Sequence, residues 1–346
     1  VYSHRSTVLH AYAASLPDSM ALSARDTVCT VVPMFHVNAW GIPYAAAMVG
    51  CRLVLPGSHL DGHSLHDLFE AEKVTFTAGV PTIWLGLLQY LEVRGLRLTS
   101  LKRLLVGGAA AAPRLIETFQ DRYGLEVRHA WGMTEMSPLG TVNTLRHKHL
   151  AMPEETQNSL KFKQGRPMFG VEMKIVDVEG KELPRDGRAF GDLMVRGLWV
   201  MNDYFNASGE EALRDGWFPT GDVATIDADG YMQITDRSKD MIKSGGEWIS
   251  SIDLENLAIG HPAIAESAVI GVQHPKWGER PLLVVVLKDG EEITKEELLA
   301  YMGERLAKWC LPDDVAIVDE LPHTGTGKLS KLKLREQFQG YRLPTA

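Results

Sequence analysis

Cysteine is scarce in this chain. Three stand among 346 residues, Cys29, Cys51 and Cys310, an odd number with no metal-ligand spacing. That speaks against a disulfide framework or a thiolate zinc site and suits a reducing compartment, so the expected location is cytoplasmic. Long apolar runs are lacking as well. The longest, around Trp40 to Gly50, contains Pro43 and is about half the length of a membrane span. No signal peptide is visible. Basic excess is missing too: a net charge of −8 and an isoelectric point near 5.9 leave no footprint for nucleic acid or an anionic membrane. Repeats and low-complexity tracts are absent. So is a complete phosphate-loop motif. "PHTGTGKLSK", Pro322 to Lys331, has glycines, threonines and a lysine, but Pro322 stands where the first glycine belongs and Leu329 where Ser or Thr belongs.

What remains is an ordinary globular composition, 45% hydrophobic and 23% charged, in a chain long enough for two or three units. "VYSHRSTVLHAYAASL" at the start reads as a helix entering from something upstream, and the chain is expected to be a piece of a longer protein. From Thr27 to Glu135 short apolar runs ("TVCTVVPMF", "CRLVLPG", "VTFTAGVP", "KRLLVGG", "EVRHAWG") alternate with helical patterns and read as buried strands. "PRLIETFQDRY" opens on Pro113 at a first helical turn and lines Leu115, Ile116, Phe119 and Tyr123 along one face. The alternation predicts a mainly parallel sheet with functional loops at the carboxyl ends of its strands. Residues 144–164 read as an irregular polar excursion. From Gly165 to Asp236 short β runs with glycine turns predict a β-rich subdomain. After "DRSKD" an α+β pattern follows, with a capping box at Thr294–Glu297. The expected division is therefore 1–145, an α/β part of a large domain; 146–236, a β-rich subdomain; and 237–346, a separate α+β domain.

Two stretches place small residues directly after a strand: "LLVGGAAAAP" and "HAWGMTEMSP". Small side chains at Gly107 to Ala112 allow a flat ring to lie against backbone. Trp131 offers a stacking surface, the Thr134 hydroxyl a bond to phosphate, and Glu135 a hard oxygen for Mg²⁺. Each has a plainer reading, as a turn, a core ring or a solvated charge, and only together do they favour a nucleotide site. "PTGDVA" adds Asp222, suited to both ribose hydroxyls or to an Asx-turn. "DRSKDMIKSGGEWIS" packs Arg237, Lys239, Asp240 and Lys243 ahead of a glycine pair, as a hinge or a solvated linker would.

In order, "PMFHVNAW", "VGGAAAAP", "AWGMTE", "TGD", "DRSKDMIKSGGEWIS" and "PHTGTGK" resemble the AMP-forming acyl-CoA synthetases of the adenylate-forming superfamily. The likeness spans essentially the whole chain. "PMFHVNAWGIPYAA" and "AWGMTEMSPLGT" are most similar to the fatty-acyl-CoA ligase branch, with the 3-methylmercaptopropionyl-CoA ligases as the nearest group. One departure stands out: the family's Ser/Thr/Gly-rich triphosphate loop, expected just before the Tyr-Ser-His segment, would precede Val1. The 346-residue chain alone is therefore expected not to adenylate acids.

The resemblance implies ATP, Mg²⁺ and coenzyme A as cofactors and a small carboxylic acid as substrate. The acid would become an acyl-AMP and then a thioester. It implies Lys328 as the cation of the first step, Glu135 as the Mg²⁺ ligand and Thr134 as a phosphate contact. Asp222 and Arg237 would hold the ribose, while Trp131, Gly132 and Gly108, Ala109 and Ala110 frame the adenine. His36 and Trp40 would border the acid pocket with Gly107, Gly132 and Met133; alone, His36 would read as a satisfied core histidine. Residues 1–145 would bind nucleotide and acid, Lys239 would be the hinge of a mobile 237–346 domain, and Gly245 and Gly246 would line the coenzyme A channel. A homodimer is also implied. Two alternatives stay open: an acyl-AMP ligase serving a carrier protein, and a nucleotide-binding module without turnover.

Overall fold

The computed structural model describes residues 1–206 and 212–346. They form two compact units, Val1–Ile234 and Thr235–Ala346. The fold is mixed α/β: the described residues form one mainly parallel sheet, as the alternation predicts, and two further sheets.

The first unit opens with α1 (His4–Ser15), whose N-terminus is capped by the Ser3 hydroxyl accepting from the Ser6 N–H. There follow β1 (Thr27–Thr30), α2 (Val37–Trp40), α3 (Ile42–Val49), β2 (Arg52–Val54), α4 (Gly62–Glu72) and β3 (Phe76–Gly79). Next come α5 (Pro81–Arg94), β4 (Arg103–Val106), α6 (Pro113–Asp121), β5 (Glu126–Gly132), β6 (Leu139–Val142), α7 (Glu154–Lys161) and β7 (Arg166–Pro167). The sheet order is β2-β1-β3-β4-β5-β6-β7. Strands β1 to β5 pair in parallel and β6 and β7 turn antiparallel. Period-two alternation sorts its two faces: on β4, Leu104 and Val106 join Phe69, Trp84 and Phe119, while Leu105 faces Trp40 and Trp131. A second, antiparallel sheet runs β11-β10-β9-β8, made of β8 (Val171–Val176), β9 (Phe190–Gly197), β10 (Phe218–Ile226) and β11 (Met232–Arg237).

Two expectations need correction. β2 is not a buried strand: it lies at the sheet edge with Arg52 and Leu53 exposed. Residues 144–164 are not irregular either. They contain α7, they bury Leu160, and His149 sits fully enclosed between Asp229 and Tyr231. The polar composition hid a helix whose single apolar anchor faces inward.

In the second unit β12 (Ile242–Ser244), β13 (Glu247–Ile249), α8 (Ser251–Ile259), β14 (Ile264–His274), β15 (Gly278–Leu287), α9 (Lys295–Gly303), β16 (Asp314–Ile317) and α10 (Lys331–Gln337) follow in order. β14 and β15 form a long hairpin, β12 pairs with β15 on one side, and β16 adds to β15 in parallel. The capping box at Thr294 and Glu297 forms as the sequence predicts.

Candidate active site

Because β1, β3, β4 and β5 are parallel neighbours, the chain leaves their carboxyl ends on one edge of the sheet. The segments 31–41, 107–112 and 133–138 all start there. Gly107 makes close packing possible: a Cβ on it would lie 3.0 Å from the Ala130 carbonyl oxygen and 3.4 Å from the Trp40 ring. Gly132 is constrained further, since a Cβ would stand 2.0 Å from the Pro138 carbonyl oxygen, far inside contact distance.

Trp131 is 8% exposed, and its indole N–H donates to Asp222 Oδ2 across 2.9 Å. This joins two of the anticipated residues that lie 91 positions apart. Asp222 reaches the ring because β10 bulges between Pro219 and Val223, which re-aims the side chain at that point. The acidic residue of "TGD" is therefore fixed by an aromatic of the first sheet, and the sequence offered no sign of that pairing. Thr134 is exposed, with its carbonyl accepting from the Tyr2 hydroxyl. Glu135 Oε1 accepts from the Tyr204 hydroxyl at 2.9 Å, and its carbonyl accepts from the Met201 N–H at 2.8 Å. Burial, followed by the Glu135 charge, pushes both tyrosines up to about 12. Both therefore stay neutral donors beside the carboxylate at neutral pH. Among the described residues no group of three or more His, Cys, Asp or Glu side chains is placed to hold a metal.

The approach to His36 and Trp40 is unusual. Val37, Asn38, Ala39 and Trp40 all have φ between 44° and 58°, and Gly41 continues at 73°, so α2 is a single left-handed turn. Non-glycine residues adopt this region at a cost, most of all a β-branched valine. The turn delivers the Trp40 ring, 5% exposed, into the core against Gly107 and leaves His36 partly exposed ahead of it.

His129 escaped the sequence reading. It is 1% exposed, donates from Nδ1 to the Phe162 carbonyl at 2.9 Å, and accepts at Nε2 from the Ala111 N–H at 3.3 Å. Burial pushes it down to about 4, so it is neutral and holds the 107–112 loop by hydrogen bonds alone. The available signal was its place inside the buried strand "EVRHAWG", two residues before Trp131.

Arg237, Lys239, Gly245, Gly246 and Lys328 belong to the second unit. The Arg237 N–H donates to Asp236 Oδ1 at 2.7 Å, and the Arg237 carbonyl accepts from Asp240 and Met241, so Lys239 sits within a tight turn. The Gly245 N–H donates to the Trp277 carbonyl at 2.8 Å, with the Trp277 ring lying over Gly245. Lys328 rides on a small hairpin turn. Thr324 N–H donates to the Lys328 carbonyl at 2.8 Å, Gly327 N–H to the Thr324 carbonyl at 2.9 Å, and Ser330 N–H to the Pro322 carbonyl at 2.8 Å.

Comparison with known proteins accords with this geometry. Residues 1–205 match the model of the AMP-binding enzyme family, and residues 253–328 match that of the AMP-binding enzyme C-terminal domain. The 3-methylmercaptopropionyl-CoA ligase of Ruegeria lacuscaerulensis is 56% identical over 98% of this chain and 63% of its own length. The medium-chain-fatty-acid–CoA ligase of Ectopseudomonas oleovorans is 54% identical over 98% of this chain and 62% of its own. The chain thus spans about 63% of the length of these curated relatives. Among solved structures, the o-succinylbenzoate CoA synthetase of Bacillus subtilis in complex with the acyl-adenylate intermediate superposes with a TM-score of 0.82. It shows 28% identity, covering 99% of this chain and 66% of the other. The chain belongs to the AMP-binding enzyme family, and the relatives it matches include acid–CoA ligases.

Proposed function

We propose that this chain carries the adenylate- and acid-binding residues of an acid–CoA ligase working in two half-reactions. In the first, a carboxylate oxygen attacks the α-phosphorus of ATP and the bond to pyrophosphate breaks, leaving an acyl-AMP. In the second, the coenzyme A sulfur attacks the acyl carbon, the carbon–oxygen bond to AMP breaks, and the thiol proton passes to solvent.

The observation that carries this reading is the Trp131–Asp222 hydrogen bond. It fixes a carboxylate acceptor, suited to ribose hydroxyls, beside a wall built from Trp131 and the Gly107–Ala112 loop. Adenine would be framed by Gly108, Ala109 and Ala110 and by the backbone of Gly132, which is packed against the Pro138 carbonyl. The Thr134 hydroxyl would meet phosphate. Glu135 fits the demands of Mg²⁺, which takes one or two carboxylates and fills its shell with water and phosphate oxygens; when bound, the ion neutralises charge between phosphates. Arg237 would bind ribose, and Lys328 would face the α-phosphate and the incoming carboxylate. Negative groups must meet there, so a positioned cation supplies much of the stabilisation. His36, Trp40, Gly107 and Met133 would bound the acid. Gly245, under Trp277, and the neighbouring Gly246 would border the thiol arm, with Lys239 as the pivot between half-reactions.

The relatives at 56% and 54% identity, named for 3-methylmercaptopropionate and medium-chain fatty acids, support an aliphatic or short sulfur-containing acid. A panel of acids tests this: full-length protein is assayed for acid-dependent AMP release with coenzyme A and, separately, with a pantetheinylated carrier protein. Aliphatic acids with coenzyme A are expected to turn over. Release with carrier protein alone, or ATP binding with no acid-dependent release, would overturn the reading.

A further inference from the structure

α10 sets Lys331 and Arg335 one helical turn apart, at i and i+4 on one face. Lys331 Nζ lies 2.7 Å from Glu255 Oε1 and also bonds the Ser251 hydroxyl. Ser251 in turn gives its backbone N–H and its hydroxyl to Asp236 Oδ2, at 2.6 and 2.7 Å. Arg335 Nη2 lies 2.7 Å from Asp240 Oδ1. Asp236 is 1% exposed and Asp240 7%. These two carboxylates stand on either side of Lys239; α10 bonds Asp240 directly through Arg335 and is linked to Asp236 through Ser251. Taking the partner away from a buried charged group is costly, which ties the helix to this segment.

The same helix begins where the Lys328 turn ends. Ser330 caps α10 through its hydroxyl, and its N–H closes the base of the turn on the Pro322 carbonyl. At the entry to the turn, His323 Nε2 lies 3.0 Å from Glu266 Oε2. The glycine turn at Gly245 and Gly246 is held by other residues. Trp277 accepts from the Gly245 N–H, Glu279 accepts from the Lys243 N–H at 3.1 Å, and Arg280 donates to the Ser244 hydroxyl at 3.0 Å.

We propose that α10 is an ionic strap: Lys331 and Arg335 are positioning residues that fix the Lys328 turn to the Asp236–Asp240 segment. Lys328 then keeps its place for adenylation only while both pairs are made. Loosening the strap slows the first half-reaction and spares the second, because the glycine turn hangs from the β14–β15 hairpin instead. This rests on the reading of Lys328 as the adenylation cation.

The test uses full-length protein carrying Arg335→Met and, separately, Lys331→Met. Acid-dependent pyrophosphate release is compared with thioester formation from supplied acyl-AMP and coenzyme A. Arg335→Met is expected to lower kcat for adenylation by about tenfold, with KM for ATP and the thioester rate each within about twofold. Arg335→Lys, which keeps the charge, should recover most of the loss. A purely structural role would lower both half-reactions together, and that result, or unchanged adenylation, overturns the proposal. If Lys331→Met does not fold, Asp240→Asn cuts the strap from the other side. It must then match Arg335→Met, with the double variant no worse than either single one. Lys328→Ala separates the two readings. Equal loss of both halves in Lys328→Ala removes the premise, whereas a split there with none in Arg335→Met overturns the strap alone.

Discussion

In the first unit the candidate residues are built into the core: Trp131 and Asp222 are each 8% exposed and bonded to each other, and Gly132 is wedged under the Pro138 carbonyl. In the second unit Lys328 sits on a surface turn, partly exposed, held by its own backbone bonds and by ion pairs at its base. Groups that must only receive a nucleotide gain from being fixed in advance, since nothing then reorganises on binding. On the proposed reading Lys328 is needed for one half-reaction, and a surface turn suits that narrower duty. The contrast predicts that substitutions in the first unit act through stability and binding, while those around Lys328 act on one chemical step.

Gly132→Ala should show the largest effect on stability. Its methyl would overlap backbone rather than a movable side chain, so a loss of about 3 kcal/mol or more is expected by urea unfolding. A change under about 1 kcal/mol would mean the 133–138 loop yields.

Two buried histidines sharpen the comparison through pH. His129 and His10 are pushed by burial from 6.5 down to about 4. A lowered histidine favours the fold above its unfolded value, and that support is lost as pH falls from about 6.5 towards 4, because the unfolded imidazole takes the proton first. Each contributes about 3 kcal/mol across that window. The stability advantage of the protein over His129→Gln should therefore shrink by about that amount between pH 7 and pH 4. A constant difference would contradict the assignment of His129 as neutral and enclosed.

Trp131→Phe should act less strongly. It keeps the ring and removes the N–H that holds Asp222; losing a bond to a charged group raises KM for ATP by about tenfold while kcat changes little. An equal fall in kcat would place Trp131 in the chemistry instead.

The layout of the first unit was legible because a parallel sheet writes itself as short apolar runs closed by glycine or proline, and β1, β3, β4 and β5 all follow that pattern. "TGD" and "GGAAAA" were legible as small-residue turns after strands. The bond between Trp131 and Asp222 was not, since it depends on a bulge in one sheet meeting a strand end of another. Nor was the left-handed turn at Val37–Trp40, because valine argues locally against that conformation and only the packing of Trp40 on Gly107 explains it. α7 was missed because "EETQNSLK" has one apolar anchor and no stripe. Nothing in the neighbouring sequence marks Lys331 and Arg335 as a pair. Their carboxylate partners are brought to them by the fold and not by neighbouring sequence.

The central claim is that Lys328 serves one half-reaction and not the other. It is tested most directly by Lys328→Ala in full-length protein, with adenylation followed by acid-dependent pyrophosphate release and thioester formation followed from supplied acyl-AMP. Removing a preorganised cation should cost adenylation about a hundredfold or more and leave thioester formation within about threefold. Equal loss of both rates would contradict the account.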